Sequence, residues 1–73
     1  MPHLPAISGG EAVSAFNKIG WKVKRRNASH IILKKPSVKV NLSVPDHQIL
    51  KAGTLRNLIR KADITVEKFI ALL

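Results

Sequence analysis

The chain has no cysteine and no tyrosine, and one tryptophan and two phenylalanines among 73 residues. Without thiols, disulfides and thiolate metal sites are excluded. The same absence fits a reducing compartment, and a cytoplasmic location is the expectation. Acids are scarce as well: Glu11, Asp46, Asp63 and Glu67 are the full set. All four fall outside the segments that read as strands. A serine-nucleophile triad, which needs a carboxylate to orient its histidine, therefore has little to build on. No apolar run approaches the roughly 18 residues of a membrane-spanning helix. The first seven residues have neither a basic start nor an apolar stretch, so they do not read as a signal peptide. The three histidines are scattered with no His-x-x-x-His pair, which argues against a metal centre. No metal and no cofactor are expected.

What is present is positive charge. Thirteen Lys and Arg against four acids give +9. Such an excess repels itself in a compact state and is usually explained by a polyanionic partner. A chain of this length buries only about 60% of its unfolded surface. One domain, 1–73, is expected, with a core for one sheet and a few helices.

Ser8-Gly9-Gly10-Glu11 has the spacing of a capping box, and Ala12, Val13, Phe16 and Ile19 follow at helical intervals. This predicts a helix over 9–19, stopped by Gly20. Trp21 to Arg26 alternates and predicts a strand with Trp21 and Val23 inward and Lys22, Lys24 and Arg26 outward. Asn27-Ala28 turns the chain into a second strand over 29–35, which Pro36-Ser37 ends. The third strand is expected over 38–44, with Val38, Val40, Leu42 and Val44 inward and Lys39, Asn41 and Ser43 outward. Thr54 is the expected N-cap of a helix that buries Leu55, Leu58, Ile59 and Ala62. Thr65 is the expected cap of a last short helix that turns Val66, Phe69, Ile70 and Leu73 inward. The fold class is then α+β: a three-stranded antiparallel meander with helices on one face and the other face open.

The second strand can be phased by charge. Pointing Ile31 and Leu33 inward leaves His30, Ile32 and Lys34 outward, whereas the opposite choice buries an unpaired lysine at a cost of several kcal/mol. His30 is thereby expected on the open face among cations. An imidazole titrates ordinarily near pH 6.5 and exchanges protons at neutral pH. His30 is accordingly the candidate catalytic group. Lys22, Lys24, Arg26, Lys34 and Lys39 are the candidate residues for binding a polyanion, nucleic acid being one of the partners such a charge suits. His3 falls in a segment expected to fray, and His47 follows a turn it is expected to order.

These residues together resemble the HicA family of bacterial toxin–antitoxin toxins, which are small messenger-RNA interferases. The likeness rests on Ser8-Gly9-Gly10-Glu11, Gly20-Trp21, Ser29-His30, Val44-Pro45-Asp46-His47, Gly53-Thr54-Leu55-Arg56 and Ile64-Thr65-Val66-Glu67-Lys68-Phe69. The resemblance implies a fold like a double-stranded-RNA-binding domain in α-β-β-β-α order. It also implies metal-independent, ribosome-independent cleavage of messenger RNA by one histidine, and neutralisation by a HicB-type antitoxin. The family's histidine lies in a Gly-Ser-His motif. Here Ala28 stands first, and a positive φ at that position would cost alanine about 1 kcal/mol or more. The alternative reading is a non-catalytic RNA-binding module using the same basic face. A membrane-surface role is not expected, because the cations fall on strands and no helix sets a basic face against a large apolar one.

Overall fold

A computed structural model describes residues 3–73; Met1 and Pro2, part of the terminal segment read above, lie outside the described residues. The element order is α1 (Gly9–Asn17), β1 (Lys22–Arg26), β2 (His30–Lys34), β3 (Leu42–Pro45), α2 (Ala52–Lys61) and α3 (Val66–Leu72). The three strands form one antiparallel sheet in the order β1-β2-β3. The chain is α+β, as the patterning predicts.

The helix ends follow from local chemistry. At α1, Glu11 N–H donates to Ser8 Oγ and Ser8 N–H donates to Glu11 Oε1, each at 3.1 Å, which satisfies two amides that a helix start leaves free. At its far end Gly20 has φ of +100°. Trp21 N–H reaches back to Phe16 O and Gly20 N–H to Asn17 O, each at 3.2 Å, the paired bonds of a glycine-terminated helix. α2 closes the same way, with Asp63 at φ of +60°, Ile64 N–H on Ile59 O at 3.3 Å and Asp63 N–H on Arg60 O at 3.0 Å. Thr65 caps α3, its Oγ1 accepting from Lys68 N–H at 3.0 Å.

The core lies between the helices and one sheet face. Trp21, Phe16, Phe69, Ile31, Leu33, Leu42 and Val44 have no measurable exposure. Phe16 and Phe69 meet with ring centroids 5.1 Å apart and planes tilted by 46°, an arrangement that adds about 0.5–1.5 kcal/mol to plain burial. Helices α1 and α2 pack on β3, and α1 also reaches β2. The amino-terminal segment is tied down rather than frayed: Ile7 is buried, Leu4 packs against the core, and Ile7 O accepts from Leu50 N–H at 2.8 Å. His3 remains exposed.

Five further expectations change. First, Val23 is 44% exposed instead of inward. It pairs with Leu33 and so shares the core-side face, but β1 is the far edge of the sheet and lies beyond the helices. Second, the register slips between Val23 and Arg25. Lys24 is the extra residue of a bulge, and the alternation beyond it is inverted. Third, β3 begins at Leu42, so Val38 to Asn41 form a loop, in which Val40 is 50% exposed. The turn 35–38 carries Pro36 second and Ser37 third, with Ser37 at φ of +74° and Val38 N–H on Lys35 O at 3.2 Å, the sequence and hydrogen bond of a type II turn. β2 ends at Lys34, which leaves the valines no strand to pair with. Fourth, α2 starts at Ala52 behind Lys51, which makes no side-chain cap bond. Leu50, held by Ile7, fixes the entry one turn earlier than Thr54. Fifth, at the carboxyl end Leu73 is exposed and Leu72 takes the inward position.

Candidate functional site

The turn between β1 and β2 is built around one side chain. Asn27 Oδ1 accepts from His30 N–H at 2.9 Å and from Ser29 N–H at 3.2 Å, and Asn27 N–H donates to His30 O at 3.0 Å. An asparagine carboxamide commonly takes over backbone bonds in this way. Positive φ among the non-glycine described residues is confined to Ser37 and Asp63, so Ala28 sits in the turn without the strain considered above.

His30 is half-buried and pairs across with Pro45 of β3. Ile31 and Leu33 are buried while Ile32 is half-buried and Lys34 exposed, so the charge-based phasing of β2 holds. The imidazole Nδ1 lies 3.0 Å from Ser29 Oγ. Among the described residues no hydrogen bond engages Nε2. In the tautomer that donates Nδ1–H to Ser29, Nε2 carries a lone pair facing solvent.

The segment after β3 braces this turn from below. Asp46 N–H donates to Ser29 O at 2.9 Å, and His47 O accepts from Gly9 N–H at 2.9 Å. His47 itself is exposed, and its backbone ties α1 to the sheet. Gly9 lies so close to this segment that a Cβ there would meet Pro45 O inside van der Waals contact, with Pro45 C at 3.2 Å and Asp46 Cα at 3.3 Å.

The cations do not all lie where sequence places them. Lys22 pairs with Lys34, and both share the open face with His30. Lys24 occupies the bulge. Arg26 is displaced from the open face: it pairs with buried Ile31 and leans at the sheet end toward Asp46, 3.8 Å away, with 57% and 46% of the two side chains exposed. So exposed a pair contributes under about 1 kcal/mol. Lys39 stands in the loop before β3, off the sheet. In their stead the bulge brings Arg25 onto the open face opposite Ile32. Arg25 is thereby a diagonal neighbour of His30, about 7–8 Å away between Cα atoms. Strict alternation hides it, and only the position of the bulge reveals it. Ser43, opposite Ile32 from the other side, completes that row.

Among the described residues no three His, Asp or Glu side chains converge as metal ligands, and no helix is long and apolar enough to cross a membrane. Comparison with curated proteins gave no match. The family model described as the HicA toxin of bacterial toxin–antitoxin matches residues 9–64, from the first residue of α1 through the turn that closes α2. With most of its length covered by that match, the chain belongs to the HicA family of toxins from bacterial toxin–antitoxin systems.

Proposed function

We propose that this toxin is an endoribonuclease acting on messenger RNA, with His30 as its general base. The observation that carries the reading is the Nδ1 contact with Ser29 Oγ, which leaves the opposite ring nitrogen turned to the open, cationic face. Nε2 takes the proton of a ribose 2′-hydroxyl. The 2′-oxygen then bonds to the adjacent phosphorus and the 5′-oxygen bond breaks. The leaving oxygen takes up a proton, and the products are a 2′,3′-cyclic phosphate and a free 5′-hydroxyl. Such chemistry asks for no cofactor. Charge grows on the phosphoryl oxygens in the transition state, and Arg25 is the cation best disposed to offset it. The lysines of the open face hold the strand by its phosphates.

End analysis tests this directly. Purified protein should leave 2′,3′-cyclic phosphate or 3′-phosphate ends on RNA and should leave DNA intact, since DNA lacks the attacking hydroxyl. RNA bound yet uncut under the same conditions would instead support the non-catalytic module. Arginine substitutions separate the two faces of β1. Arg25→Ala should lower cleavage by about ten- to a hundredfold, the scale of one lost charged contact to the transition state. Arg26→Ala should cost less than threefold, because its guanidinium is turned toward Asp46. Equal losses in the two variants would mean the bulge does not sort these side chains as argued.

Membership of a toxin–antitoxin family gives the chain an antitoxin partner. We propose a HicB-type protein whose acidic surface covers His30. With +9 on the toxin, electrostatic steering speeds that association.

A further inference from the structure

At the end of the sheet remote from His30 a cleft of about 570 Å³ opens between the start of β1 and the turn after β2. Lys22, Val23, Lys24, Lys34, Pro36 and Ser37 line it. Three lysines and no carboxylate line the cleft. Among the described residues none of the three forms an ion pair. Val23, on the core-side face of this edge strand and 44% exposed, and Pro36 of the turn add apolar lining where the cleft wraps the sheet edge. Lysines gathered without a carboxylate among the lining are what the phosphates of a nucleic-acid strand satisfy. Lys34 stands four residues along β2 from His30 on the same face, about 13 Å away at strand spacing. A phosphate held in the cleft is therefore not the one beside His30.

We infer that the cleft is a second RNA subsite, which grips a single strand a few nucleotides away from the bond proposed to be cut. The inference rests on the reading of the open face as an RNA surface. All three aromatic side chains are fully buried, so the cleft has no ring on which bases stack. Its grip is mainly on phosphate and tolerant of sequence.

The test uses the full chain and a hexanucleotide of 2′-O-methyl RNA, which has no free attacking hydroxyl and stays intact. Lys22→Gln/Lys34→Gln should raise its Kd about tenfold. It should also reduce the slope of log Kd against log salt by about 1.4, at roughly 0.7 for each lost single-strand phosphate contact. In wild type the backbone amide resonances of residues 22–24 and 37 should shift during the titration, as well as those around His30. An unchanged Kd, or shifts confined to the surroundings of His30, would overturn the subsite. So would a double variant that loses antitoxin binding and keeps its RNA affinity, since the cleft would then be a protein contact. Failure of the nuclease reading looks different: unmodified RNA stays whole while the hexanucleotide still depends on Lys22 and Lys34.

Discussion

Replacing His30 by alanine should slow RNA cleavage by about 10²–10⁴-fold, the usual contribution of one positioned acid–base group. Stability and RNA affinity should change little. The ring is half-buried on the uncovered face and its hydrogen bond to Ser29 is exposed, so truncation opens no core cavity. The backbone of the turn is held independently of the imidazole, by Asn27 Oδ1 and by the bond from Asp46 to Ser29. Cleavage rate, melting temperature and Kd for the 2′-O-methyl hexanucleotide should be measured on the same preparation. A variant that cuts at the wild-type rate removes His30 from the mechanism. One that melts and binds normally but no longer cuts is the expected result, and it separates chemistry from binding.

Gly9→Ala should destabilise the protein by about 2–3 kcal/mol or more, the range for forcing an extra methyl into a filled space. The clash is with the backbone of Pro45 and Asp46, which has no rotamer to escape into. The displaced segment also holds Gly9 through His47 O and Ser29 through Asp46 N–H, so cleavage should fall further than the loss of folded protein accounts for. Gly53→Ala is the control. Nothing lies within 4 Å of a Cβ at Gly53, which is inside α2. There the substitution should stabilise by about 0.5–1 kcal/mol. Thermal melting followed by circular dichroism checks both. A Gly9→Ala protein as stable as wild type would show that the approach of α1 to Pro45 relaxes without cost.

The parts legible in sequence are those where one local rule decides. Ser8 and Glu11 cap each other across three residues, Gly20 supplies the one conformation that stops α1, and Ile31 and Leu33 must be inward because Lys34 cannot be. The placement of His30 on the uncovered face followed from that last constraint. The parts that stayed hidden depend on partners distant in the chain. Val38 and Val40 alternate as a strand does, but alternation reports a face and not the presence of a neighbour, and β2 ends at Lys34. Lys22, Lys24 and Arg26 suggest one cationic row; the bulge at Lys24 shifts the phase and exchanges Arg26 for Arg25. Gly9-Gly10 reads as an ordinary helix start, yet only Gly9 is pressed against another segment, while Gly10 meets nothing nearer than Ser8 Oγ at 3.8 Å. No pattern in a single sequence distinguishes the two.

Trp21 is the chain's one indole, with no tyrosine beside it. It is fully enclosed, and its Nε1 has no hydrogen-bond partner. It follows directly on the glycine stop of α1 and precedes β1, at the joint between helix layer and sheet. Under excitation selective for indole, the protein thus carries a single intrinsic fluorophore, buried and without a hydrogen-bond partner. Its emission reports whether helix and sheet are together, with no label introduced and no second chromophore to subtract.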